Sequence, residues 1–351
     1  MQDRDRTRMN KIAIGLFLAL AALAGTSASS AAGPAGERKT VRLATLAPKG
    51  SSMYKSLESL REKWTNAPDG GVKLVIYPDG VMGSESDIVR KMRAEQLQAG
   101  VLTVAGLQEI DKSAAALQNL PLMFRTLDEA AYVREKLRPT LAKRFEEKGF
   151  VMIFLGDVGW VHFFSKEPII HPDDLKKVKL FTWSGDNQAI DLMKNLGLHP
   201  VPLEPTDILT GLQTGLVDAV AMVPFFALAA QIYSPTPHML DLDWAPLVGA
   251  GVVLKKTWDA FPQNVRDDLR ASASKIGAEI IERQRVENDE AVQAMQKRGL
   301  IVHKTTPAIE AEWRAFVEPI YPKLRGLEVP DDMYDAVVSA LSEFRKAKPI
   351  K

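Results

Sequence analysis

Between Val41 and Gly106, short apolar runs and amphipathic stretches take turns, and this alternation restricts the fold more than any other feature of the chain. VRLATLA (41–47) reads as a buried strand. GSSMYKSLESLREKW (50–64) then places Met53, Leu57, Leu60 and Trp64 on one helical face. KLVIYP (73–78), SESDIVRKMRAEQ (84–96) and GVLTVAG (100–106) continue as strand, helix and strand. Such a series lays helices over a parallel sheet, so the fold class is α/β. Thr126 and Glu129 have capping-box spacing at the head of a charged helix running to about Gly149.

VMIFLGDVGWVHFFS (151–165) is too long for an ordinary strand, and Gly156 and Gly159 mark a bend or a crossing between lobes. A second series follows in VKLFTW (178–183), NQAIDLMKNLG (187–197), HPVPL (199–203), DILTGLQTG (207–215) and AVAMVP (219–224). GAGVVLKK (249–256) reads as a strand returning to the first lobe. The helical pattern from Pro262 to Gly299 reaches about 55 Å at 1.5 Å per residue, enough to brace two lobes. Helices over 307–327 and 331–347 close the chain. The expected division is a first lobe of 40–158 with part of 250–351, a second lobe of 159–249, the long helix 262–299 and C-terminal helices in 300–351. With 351 residues, 46% of them hydrophobic, there is material for two cores.

The formal charge is +1 and no long basic or acidic run occurs, which favours neither nucleic acid nor an anionic membrane surface as a partner. Arg4, Arg6, Arg8 and Lys11 precede an apolar stretch, Ile12 to Ala24, and then the small-residue run GTSASSAAG. Residues 1–32 therefore read as a secretory signal peptide, and the mature chain as exported and free of membrane spans. There is no cysteine, which excludes disulfides, thiolate chemistry and a lipid-modified N-terminal cysteine.

Catalytic constellations are missing. His162, His171, His199, His238 and His303 form no metal-ligand spacing, and there is no GxSxG elbow, P-loop or GxGxxG. No metal, cofactor or enzymatic activity is expected. Paired acids such as Glu85/Asp87 and Asp173/Asp174 sit at helix starts, where they complement the dipole. The APKGSS loop (47–52) opens a helix, so Ser51 and Ser52 either cap it or help to hold an anion there.

Aromatic side chains gather near strand ends: Trp160 and Phe163 in one segment, Phe181 and Trp183 in another, Met222, Phe225 and Phe226 in a third. Ligands of open α/β sheets bind at the carboxyl ends of strands, so these clusters either line one cleft or fill the core.

PDGVMGSESDIVRKM (78–92), DDLKKVKL (173–180) and above all GLHPVPLEPTDILTGLQTGLVDAV (197–220) resemble the solute-binding subunit of TRAP transporters, the DctP-like family. The resemblance implies a two-lobed periplasmic binding protein with a long helix spanning both lobes, a small-molecule ligand and the membrane subunits of a TRAP permease as partners. It also implies two arginines that clamp a ligand carboxylate. Here Phe181 stands where one is expected, Trp183 where a proline follows it, and Val161 where the second falls. Val220, Ala221 and Met222 replace a polar run. These departures, with WAPLVGAGVVL (244–254), resemble the divergent branch that works with a TPR-repeat partner and apolar ligands. The expected ligand is hydrophobic or weakly polar, held by Phe181, Trp183, Trp160, Phe163, Gln188, Met222, Phe225 and Phe226, with Ser51, Ser52 and Gln108 orienting a head group. The alternatives are an organic acid held by the APKGSS helix start or by Lys179, and an interaction protein that docks a helical-repeat partner without any ligand.

Overall fold

The computed structural model describes residues 38–184 and 187–348, and the signal peptide expected over 1–32 lies outside them. The chain runs β1 (Thr40–Thr45), α1 (Ser52–Thr65), β2 (Lys73–Tyr77), α2 (Glu85–Arg93), β3 (Ala99–Thr103), α3 (Val104–Leu107), α4 (Leu127–Glu147) and β4 (Phe150–Ser165). It continues with β5 (Lys179–Trp183), α5 (Asn187–Asn195), β6 (His199–Leu203), α6 (Ile208–Thr214), β7 (Ala219–Met222), α7 (Pro224–Ala229) and β8 (His238–Leu254). The last part holds α8 (Lys255–Asp259), α9 (Gln263–Gln296), β9 (Ile301–Lys304), α10 (Pro307–Val317), α11 (Tyr321–Leu324) and α12 (Asp331–Ala347).

The nine strands of the described residues belong to one mixed sheet of order β2-β1-β3-β8-β4-β7-β5-β6, with β9 on β8. Two parallel sets, β2-β1-β3 and β7-β5-β6, reproduce the expected strand–helix series. They are joined by β4 and β8, which are antiparallel to each other along almost their whole lengths. The amino-terminal half of β4 and the carboxyl-terminal half of β8 lie in the β3 half of the sheet, and their other halves lie beside β7 and β9. The length of 151–165 therefore comes from one strand serving both halves. β8 plays the same part and begins at His238, well before the strand expected from Gly249.

Register shifts interrupt the β4–β8 ladder between Met152 and Phe154, Asp157 and Trp160, and Val161 and Phe163. Such irregularities bend and twist a strand and redirect its side chains. The core divides accordingly into four buried clusters. Phe150 and Leu155 belong to one, with residues of α4 and α12, and Ile153 and Phe154 to another, with α1 and α9. In the second half Phe163 packs with Leu180 and Trp313, whereas its neighbour Phe164 packs with Leu212 and Met239 on the opposite face.

Helix α9 is 34 residues long, about 51 Å at 1.5 Å per residue, and packs on α1, β4 and α7. It is pinned to the middle of β4 by a buried charge. The Asp157 carboxylate is fully buried, ion-paired to Arg134 of α4 and 3.3 Å from the Arg285 guanidinium of α9. The single helix expected over 307–327 is instead α10, a 3-10 turn (Glu318–Ile320) and α11. Pro319 and Pro322 cause the change, since each removes a backbone donor and crowds the preceding turn.

Candidate functional site

The parallel strands β5, β6 and β7 end side by side, and a cavity of about 280 Å³ runs along β5 from Leu180 to its carboxyl end at Trp183. Its first wall is aromatic. Phe181 and Trp183 of β5 meet edge to face with centroids 5.9 Å apart, and Phe163 of β4 meets Trp244 of β8 in the same manner at 5.0 Å. Trp313 stacks behind Phe163 at 5.6 Å and donates its indole N–H to the Ile170 carbonyl at 2.9 Å, which holds this pair from below. Edge-to-face contacts of this kind fix ring orientation as well as position.

The second wall is the inner face of α5 with the turn that follows it: Ala189, Leu192 and Met193 of the helix and Leu196 just past its end all line the cavity and all are only half buried. The third is the turn from α10 to α11, where Phe316, Ile320 and Leu324 step down one face at four-residue intervals. This turn is tied to the segment before α4. The Tyr321 hydroxyl donates to the Pro121 carbonyl at 2.7 Å and Arg314 donates to Leu122 at 3.1 Å. Burial, the largest influence, pushes the Tyr321 phenol up to about 12, so it remains a neutral donor.

Polar groups enter from one side. Gln108, Gln118 and Asn119 follow β3 and α3 and reach the cavity together. Gln118 Oε1 accepts from the Val248 amide at 2.9 Å, and Asn119 Nδ2 lies 3.4 Å from Gln108 Oε1, which leaves amide donors and acceptors turned to the space. The β3–α3 turn that carries this group is set by Glu85, which is buried and accepts from the Thr103 amide, the Thr103 hydroxyl and the Gly106 amide at 2.7–2.8 Å. Burial raises the pKa of Glu85 and those three donors oppose it. Among the described residues no Lys or Arg lines the cavity, and Glu328 is its one carboxyl group.

Of the residues expected from sequence, Phe181, Trp183, Phe163 and Gln108 come together here. The others lie elsewhere. Trp160 packs against the first core cluster and is not among the residues that line the cavity. Met222 packs at the end of β7 with the Phe181 cluster without reaching the cavity. Phe225 and Phe226 belong to α7, where they pair edge to face, and the Phe225 amide donates to Asn288 of α9 at 2.9 Å. Ser51 caps α1 by accepting from the Tyr54 amide at 3.1 Å. Ser52 donates to the Glu287 carboxylate and accepts from Gln284 Nε2 at 3.0 Å, so an acid already stands at that helix start. Lys179 occupies the opposite end of β5 and donates to the Gly215 carbonyl. The side chain of Gln188 lies outside the described residues. Sequence reasoning missed both helical walls: their apolar spacing was visible, but such a stripe normally marks core.

Residues 43–326 match the family of bacterial extracellular solute-binding proteins, family 7, also called DctP. The chain belongs to that family. Among relatives of this DctP-family protein, the C4-dicarboxylate-binding periplasmic protein DctP of Rhodobacter capsulatus is 24% identical over 279 residues, covering 79% of this chain and 82% of its own. A TRAP periplasmic solute-binding protein of Xanthobacter autotrophicus, solved with bound β-D-galacturonate, superposes with a TM-score of 0.79 at 18% identity, covering 86% of this chain and 99% of its own. Another from Shewanella oneidensis, with bound succinate, gives 0.80 at 16%, covering 87% and 100%. The fold is thus the two-lobed α/β fold of TRAP periplasmic binding proteins, and the family is one of binding proteins rather than enzymes.

Proposed function

We propose that this DctP-family protein is exported, captures a small hydrophobic or weakly polar molecule in the cavity along β5, and delivers it to the membrane subunits of a TRAP permease. One observation carries the reading: the cavity is walled by rings and aliphatic side chains, with no Lys or Arg among its described lining residues. A buried carboxylate without a paired cation is costly, so Phe181 in place of the expected arginine argues against a small dicarboxylate. Residues 40–158 with part of 250–351, and residues 159–249, act as the two lobes on this reading, and β4 and β8 carry the closing motion between them. The rings in place of arginines also fit the branch that works with a TPR-repeat protein, which makes such a protein the expected periplasmic partner.

A second reading keeps an organic acid. The related proteins named above bind or contain acids, and the Gln108, Gln118 and Asn119 amides offer donors to a carboxylate. Native mass spectrometry with organic extraction, on protein purified without refolding, separates the two. A co-purifying apolar molecule that is lost in Phe181→Arg supports the first. An empty protein that gains thermal stability with small carboxylates supports the second.

A further inference from the structure

The walls of the cavity are unequal in a way that bears on which molecules fit. Phe181, Phe163 and the Trp313 that backs Phe163 are buried and fixed by ring contacts or a hydrogen bond. Phe316 and Ile320 are less enclosed: both are only half buried, both line the cavity, and they sit one turn apart on the same face, Phe316 with its ring edge to face on Trp313 at 6.3 Å. The residues beside them are the ones that hold the segment. Val317 and Trp313 are buried in the second-half core, Leu324 is buried in the first cluster, and Tyr321 and Arg314 fasten the backbone to Pro121 and Leu122. Phe316 and Ile320 are therefore carried on a turn whose backbone is fastened by other residues, and each packs on the core with one side and faces the cavity with the other. Leu192 and Met193 of α5, with Leu196 just past its end, present a half-buried apolar face to the same space. An apolar helical face left half covered on each side of a void is an incomplete core that an apolar guest completes.

We infer that the α10–α11 turn closes the cavity against the apolar end of the ligand, so that Phe316 and Ile320 set the size of molecule the protein accepts. The inference rests on the apolar-cavity reading above and adds to it the class and size of the guest: an uncharged molecule whose apolar part packs between α5 and the α10–α11 turn. At roughly 30 Å³ per non-hydrogen atom, the volume share of liquid water, 280 Å³ holds about nine such atoms. The amides of Gln108, Gln118 and Asn119 are then left for the one polar end of the guest.

The test is a titration of the full mature chain with a series of 1-alkanols of increasing length, read by tryptophan fluorescence, since Trp183 and Trp244 line the cavity. Affinity should rise about fourfold per added methylene until the space is full and then level off or fall. With wild-type protein the break is expected near about nine non-hydrogen atoms. Ile320→Trp should move it to shorter alkanols by about two carbons, and Phe316→Ala to longer ones by about three. Both positions are half buried, so the variants should melt near the wild type. A break that stays in place in both variants, with alkanols still bound and binding lost in Phe181→Arg, overturns the inference and leaves the apolar-cavity reading standing. Failure of every alkanol to bind the wild type overturns that reading and the inference with it.

Discussion

The side-chain amide of Asn288 occupies the place where a side chain on Gly159 would begin: a Cβ built on Gly159 stands 2.3 Å from Asn288 Nδ2. The same amide donates to the Val158 and Gln284 carbonyls at 2.7 and 2.8 Å, while its oxygen accepts from the Phe225 amide. One side chain of α9 thus joins the bend of β4 to the start of α7, and it fits because residue 159 is glycine with φ at +111°. Gly159→Ala should cost about 2–4 kcal/mol, from the steric clash together with backbone strain. Urea unfolding measures it. A loss below about 0.5 kcal/mol, the range of an ordinary surface change, would show that the Asn288 contact does not constrain the bend.

Asp157 concerns the same junction. Its buried carboxylate faces Arg134 and Arg285, and Arg134 is itself buried. Asp157→Ala removes the buried counter-charge of Arg134, leaving it only the more exposed Glu135 at 3.3 Å, and is expected to destabilise the protein by about 3–5 kcal/mol. Adding Arg134→Met should recover much of that, because removing both charges removes the desolvation penalty as well. Additive losses in the double variant, measured by denaturation, would mean that the two side chains act independently.

The strand–helix series was legible because its signals are local: periodicity, caps and glycines act within a few residues. Partnership across the sheet was not. Nothing within 151–165 says that its partner is 238–254 in antiparallel register, and the four residues of β9 are too few to show an alternation. The same division holds at the site. Phe163, Phe181 and Trp183 could be found because strand ends are where such folds bind ligands. Trp160 packs with the first core cluster, in a ladder whose register shifts on both sides of it, and no pattern within the segment announces those shifts. The α5 and α10–α11 walls were invisible because an apolar helical face facing a void has the same sequence as one facing a filled core.

Stability should depend on pH through His162. This ring is buried, and loss of hydration is the main cause holding its pKa below the ordinary value, partly opposed by Asp241. A histidine with a depressed folded pKa is neutral when folded and takes up its proton first when unfolded. Its contribution is therefore intact above about pH 6.5 and is lost as pH falls from there toward the folded pKa, by at most about 1.4 kcal/mol per pH unit. His303, also lowered, works in the same sense. Asp243 works in the opposite one: loss of hydration and then the neighbouring Asp241 and Glu310 push it up to about 6, so it gains protons in the folded state first as pH falls. The measurement is accordingly a difference: unfolding free energy of wild type minus His162→Gln, from pH 7.5 to 5. A flat difference would show that the ring is not held neutral.

Phe181 is 7% exposed and lies in the wall of the cavity, at the position where the DctP-family resemblance places an arginine. Phe181→Arg thus inserts a cation where the described lining has none. Without ligand the variant should lose about 2–4 kcal/mol, because a large ring is removed and a charge takes its place beside Trp183 and the core. Stabilisation by a small dicarboxylate such as succinate should then appear in the variant and not in the wild type, growing with concentration as RT ln(1 + [L]/Kd). Thermal melts in a succinate series read both effects. Equal stabilisation of the two proteins would place the carboxylate away from residue 181 and favour the amide group of Gln108, Gln118 and Asn119 as its holder. Stabilisation confined to the variant would show that this one ring keeps the protein from binding the acids that its relatives take.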